Sequence, residues 1–109
     1  FESVTLLRAL FKADPKRGFV VLEVGSGPGV WAMKAGVAWK RLHPGAPCSL
    51  LLIESDPELA AAIPTNSARN DLEANCTVEV IKGEASAELL DEIISRFEEV
   101  DLLDMDIQA

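Results

Sequence analysis

Apolar residues along the 109-residue chain fall into blocks of two alternating periodicities. Val4, Leu7, Leu10 and Phe11 recur at helical spacing, and Asp14-Pro15 with Gly18 closes the block, predicting an amphipathic leading helix over residues 1–13. Residues 19–24 read FVVLEV, apolar with almost no polar alternation, the pattern of a strand buried on both faces of a parallel sheet. Helical spacing returns over 30–42, with Val30, Met33 and Val37 on one side and Trp31, Ala35, Ala38 and Leu42 on another, until His43-Pro44-Gly45 stops it. A second buried strand is predicted over 50–53. Asp56-Pro57-Glu58 then supplies an N-cap, a proline suited to the first helical position and an acidic first turn. Pro64 falls inside the helix so begun, where it removes a backbone donor, and a kink or a break into two short pieces is expected near 61–65. A third strand is predicted over 77–81, a helix over 87–99 with Leu89, Leu90, Ile93, Ile94 and Phe97 on one face, and a fourth strand over 100–107.

Strands alternating with helices call for an α/β fold: a Rossmann-like, doubly wound parallel sheet with right-handed crossovers. Its expected strand order is 3-2-1-4, with residues 1–17 as the leading segment and 18–109 as the βαβ units. Ligands of such sheets sit beyond the carboxyl ends of the strands, where the strand order reverses.

Composition narrows the partners. The length allows one domain. With 18 acidic against 10 basic residues, a formal charge of −8, the chain lacks the clustered cations that hold a phosphate backbone, so nucleic acid is not expected. The same charge suits a cationic small ligand. No apolar run is long enough to span a bilayer, and Glu2, Arg8 and Lys12 interrupt the opening where a secretory signal would be continuously apolar. Cys48 and Cys76 lie far apart without a CxxC or a histidine-containing ligand pattern, which makes a soluble protein of a reducing compartment the default.

The chemistry concentrates after the first strand, in Glu23-Val24-Gly25-Ser26-Gly27-Pro28-Gly29. The glycines permit a tight turn and close approach of backbone to a ligand at the next helix's N-terminus. A dinucleotide GxGxxG would need its third glycine at position 30, which is Val30; the spacing is instead GxGxG. Acidic-x-Gly-x-Gly-x-Gly at this place resembles motif I of class I S-adenosylmethionine-dependent methyltransferases. The second strand, LLLIES, ends on Glu54, where a carboxylate can accept two ribose hydroxyls.

Asn66-Ser67-Ala68-Arg69-Asn70 and Val100-Asp101-Leu102-Leu103-Asp104-Met105-Asp106-Ile107-Gln108 extend the resemblance over 19–109 to the FkbM-type subfamily. Asp104, Gln108 and Ala109 stand where that subfamily has Lys, Glu and Gly, and Pro64 interrupts a helix that is normally continuous. The resemblance implies S-adenosylmethionine as cofactor. Glu23 would engage the amino end of its methionine moiety, Gly25, Ser26, Gly27 and Gly29 would wrap the backbone around it, Glu54 would hold the ribose, Glu84 would face the adenine, and Asp106 would end the strand nearest the methyl group. It also implies a small-molecule or sugar hydroxyl as methyl acceptor. A complete domain of this class has seven strands and only four are predicted, so the 100–107 edge is expected to be covered, in one reading by a protein partner of a non-catalytic accessory subunit.

Plainer readings stand beside these. The glycine turn can be a simple connection, Glu54 a carboxylate favoured by the helix macrodipole, and Glu84 an ordinary loop residue. Asn66 and Asn70 read as helix-end capping groups, Trp31 and Trp39 as packing residues, and His43 as a solvated loop residue. Asp104 and Asp106 would share a strand face, with Asp101 pointing away; without a third ligand they are not assigned a metal.

Overall fold

The computed structural model describes residues 2–97 and 99–105. Its elements follow in the order α1 (Glu2–Lys12), β1 (Phe19–Val24), α2 (Val30–Leu42), β2 (Cys48–Glu54), α3 (Pro57–Arg69), a 3-10 turn (Leu72–Ala74), β3 (Cys76–Lys82), α4 (Ala87–Ser95) and β4 (Leu102–Met105). All strand pairings are parallel and the sheet order is β3-β2-β1-β4, as the alternation of periods predicts.

The sheet separates two cores. Phe19, Val21, Leu50 and Leu52 face the layer of α1, α2 and α3, whereas Val20, Leu22, Val24, Leu51 and Ile53 face Ile93 of α4. Both faces of β1 and β2 are buried, Ser49 alone being partly exposed, which is why their sequences do not alternate. Each such side chain contributes roughly 1.5–3 kcal/mol on burial. In the larger core Trp39 stacks on Phe19 with ring centroids 4.9 Å apart, and its indole N–H donates to the Pro47 carbonyl at 3.1 Å. This polar outlet lets an indole be fully buried.

Four expectations are corrected. Helix α1 buries Leu6 and Leu10, with Ala13 buried just after it, leaving Val4, Leu7 and Phe11 exposed. Its apolar arc is wider than the strip that its neighbours cover, and Leu10 alone of the predicted stripe falls inside that strip. Helix α3 continues through Pro64 as one element and does not break into two short pieces. Ala60, Ile63 and Ser67 are buried on both sides of the proline and hold the helix down, while Pro64 itself is exposed. Helix α4 ends at Ser95 and leaves Ile94 exposed. Strand β4 begins at Leu102 where residue 100 was expected, and positions 106 and 107 of the predicted strand lie outside the described residues.

Cys48 and Cys76, remote in sequence, open β2 and β3 as register partners and are joined by a disulfide, with Cα atoms 4.4 Å apart. The reducing default did not anticipate this bond. At the other edge Asp101 does not simply point away. Its carboxylate accepts from the Val20 N–H at 2.8 Å and pairs with Arg17, clasping the start of β4 to the start of β1. That hydrogen bond from the guanidinium to Asp101 raises the Arg17 pKa above its ordinary value.

Candidate functional site

Because the four strands are parallel, their carboxyl ends come to one side, and the change of direction between β1 and β4 opens a crevice there. A cavity of about 940 Å³ occupies it. Small-molecule pockets run from roughly 300 to 1,000 Å³, so the space suits a nucleoside-sized ligand. Glu23, Gly25, Ser26, Gly27, Glu54 and Glu84 line it, which brings together six of the eight residues expected from the sequence. Gly29 lies beneath the turn, and Asp106 lies outside the described residues.

Local geometry explains how the turn is built. Gly25, Gly27 and Gly29 all have positive φ, at 72°, 58° and 83°. Such values are costly for side-chain-bearing residues and nearly free for glycine. Gly29 carries a second constraint, since a Cβ there would lie 2.8 Å from a Leu52 methyl and 3.3 Å from Ile63. The turn thus presses onto the core at Gly29, where α2 begins, and opens at Gly27, where a Cβ would meet nothing within 4 Å.

Glu54 is the junction of the site. It is 7% exposed, its Oε1 accepts from Gly27 N–H at 2.7 Å, and its Oε2 accepts from Asp56 N–H at 2.7 Å. Its carbonyl accepts from Gly83 N–H at 3.0 Å. One residue therefore ties together the glycine turn, the start of α3 and the loop after β3. The carboxylate was expected to be free for ribose hydroxyls; both of its oxygens are already engaged. Each carboxylate oxygen can accept more than one hydrogen bond, so capacity for a diol remains.

Glu23 is 4% exposed on β1 and is the register partner of Asp104 on β4. In parallel neighbours, register partners project to the same face, so these two carboxylates stand side by side at the crevice floor. With Glu54, Asp56 and Glu84, five acidic residues line the cavity against the single Lys34 among the described residues. This arrangement favours a cationic ligand.

Asn70 caps the end of α3, its side chain donating to the Asn66 carbonyl at 2.7 Å. Asn66 does something else. Its side-chain amide donates to the Pro28 carbonyl of the glycine turn at 2.7 Å. Trp31, Lys34, Asp56 and Asp104 also line the cavity and were not assigned to it from the sequence. Trp31 and Lys34 follow the glycine turn within the first two turns of α2, and Asp56 follows Glu54 by two, so their proximity to the motif was the available signal. Among the described residues no group of three or more His, Cys, Asp or Glu is arranged to hold a metal, and no helix is long and apolar enough to cross a membrane.

Sheet order, crossovers and the crevice at the reversal define a Rossmann-like α/β domain. A solved structure from Listeria monocytogenes, described provisionally as a class I S-adenosylmethionine-dependent methyltransferase, is similar to this chain with a TM-score of 0.65 at 13% sequence identity. The similarity covers 97% of this chain and 29% of that one, so the chain spans less than a third of that protein's length. At this identity the likeness establishes the fold alone. No family model matches the chain, and no curated protein matches it.

Proposed function

We propose that this chain is the cofactor-binding portion of an S-adenosylmethionine-dependent methyltransferase. The observation that carries the reading is the juxtaposition of the GxGxG turn with Glu54 across one acidic, nucleoside-sized crevice at the sheet's reversal point. Residues and ligand chemistry fit. Gly27 presents only backbone to open space, Glu54 retains acceptor capacity for a ribose diol, and Glu23 is a nearly buried carboxylate suited to an ammonium group. Glu84 stands after β3, where an adenine amino group would find an acceptor. The cofactor would supply an electrophilic methyl group. The protein's share is to bind, orient and exclude water, so that an acceptor meets the methyl carbon in line.

The FkbM-type reading, with a small-molecule or sugar hydroxyl as acceptor, rests on the residue pattern of 66–70 and 100–108. The division into a leading segment, 1–17, and cofactor-binding units, 18–109, belongs to the same proposal. A non-catalytic accessory subunit is the second reading. Among the described residues β4 pairs only with β1 and exposes Leu103 and Met105, the surface that a partner of such a subunit would cover. A strand edge of this kind invites another strand.

Equilibrium dialysis with labelled S-adenosylmethionine tests the proposal. Saturable uptake that S-adenosylhomocysteine competes away and ATP does not is the expected result. A folded protein without uptake would leave the accessory reading in its place.

A further inference from the structure

Glycines at 27 and 29 allow the left-handed turn but do not hold it, because their freedom extends equally to other conformations. Something must select one. Three contacts converge on this short stretch: Glu54 Oε1 on the Gly27 N–H at 2.7 Å, the Ser26 carbonyl on the Gly29 N–H at 3.1 Å, and the Asn66 side chain on the Pro28 carbonyl at 2.7 Å. The first two come from within the crevice wall. The third reaches across from α3, on the far side of the turn.

We propose that Asn66 is a positioning residue: by donating to the Pro28 carbonyl it latches the Gly27-Pro28-Gly29 turn to α3 and so sets the shape of the crevice wall for a ligand it does not touch. The orientation of its amide is determined, since a carbonyl only accepts and the side-chain nitrogen alone can donate. Asn66 is not among the residues that line the 940 Å³ cavity, which Pro28 lines; it lines a groove between α2 and α3 that meets that cavity at Val30 and Lys34. Helix α3 is a firm anchor for the latch, because Ile63 and Ser67, on either side of Asn66 in sequence, are fully buried. Ile63 also lies against the position where a Gly29 Cβ would be, so the helix contacts the turn twice. The effect on ligand affinity rests on the cofactor-binding reading, whereas the effect on the turn does not.

The test uses Asn66→Asp, nearly isosteric, which sets a carboxylate oxygen against the Pro28 carbonyl, and Asn66→Ala, which removes the donor without repulsion. Amide hydrogen exchange by NMR, without ligand, is expected to quicken at Gly27 and Gly29 in both variants, more in the aspartate, while β2 and β3 amides keep their rates. Calorimetry with S-adenosylhomocysteine and with adenosine is the second measurement. Losing one hydrogen bond corresponds to roughly a two- to tenfold weaker Kd. That loss is expected for S-adenosylhomocysteine, whose amino-acid end meets the turn, and less than half of it for adenosine. Unchanged exchange at Gly27 and Gly29 overturns the proposal whatever the ligands do, and so does equal weakening of both ligands that tracks a fall in Tm. If the wild type binds neither ligand but the variants show the selective quickening, the latch stands and the cofactor reading fails.

Discussion

The inner and outer strands of this sheet carry the crevice in different ways. Strands β1 and β2 are buried almost throughout, each held by a neighbour on both sides, and they deliver Glu23, the glycine turn and Glu54. Among the described residues strands β3 and β4 are the edges, with mostly half-exposed or exposed side chains, and they deliver Glu84 and Asp104 from positions held on one side only. A residue at the end of an inner strand inherits its place from two cores and two ladders. A residue beyond an edge strand depends on one ladder, so the inner half of the site should tolerate little change and the outer half much more.

The strongest way to break that contrast is at Gly29. Gly29→Ala puts a β-carbon 2.8 Å from a buried leucine methyl at a φ of 83°. Overpacking and left-handed strain each cost of order 1–3 kcal/mol, so a combined loss of about 2–6 kcal/mol is expected in urea denaturation, together with loss of ligand binding. A loss below about 1 kcal/mol would mean that the turn is not pressed onto the core. Glu84→Ala probes the outer half. An exposed loop carboxylate beyond an edge strand should change stability within about 0.5 kcal/mol and ligand affinity only a few-fold. An effect equal to that at Glu54 would erase the distinction.

The smallest effect belongs to Glu79 and Arg96, which pair β3 with the end of α4 through two hydrogen bonds, at 2.7 and 3.0 Å. The hydrogen bond from Arg96 holds the Glu79 carboxyl below its ordinary value. A depressed carboxylate contributes stability that is present above the unfolded-state pKa, about 4.3, and lost as pH falls through the folded-state value. Arg96→Ala should therefore lower Tm slightly at neutral pH, and the gap from wild type should close in acid. High salt should shrink it too, because both side chains are substantially exposed. A gap that persists in acid would assign it to lost packing.

The same division decides what was legible from sequence. Strand β1 and helix α2 fall at their predicted limits because full burial writes an uninterrupted apolar run and a glycine turn marks the boundary. The parallel sheet follows from strand–helix alternation and handedness, and the order 3-2-1-4 from the resemblance that the glycine motif carries. What the sequence concealed was pairwise. Which of two adjacent stripes of α1 would be covered depends on the width of its neighbours, and the fate of Pro64 depended on anchors at Ile63 and Ser67. The Cys48–Cys76 bond needed the β2–β3 register. Glu54 was legible as a site residue from its place at a strand end, but not as the hub of three backbone contacts, because Gly27, Asp56 and Gly83 meet it only in the folded chain.

Glu54 bears most directly on whether the crevice takes the cofactor. Calorimetric titration of S-adenosylhomocysteine into wild type and Glu54→Ala, with circular dichroism to establish that the sheet survives, tests it. Charge-assisted hydrogen bonds are worth roughly 1.5–3 kcal/mol each, so losing the ribose contacts should weaken Kd by at least about tenfold. The expected result is saturable binding by the wild type and that loss in the variant. A folded wild type that takes up no ligand would contradict the cofactor claim, and equal binding by both proteins would contradict the placement of the ribose against Glu54.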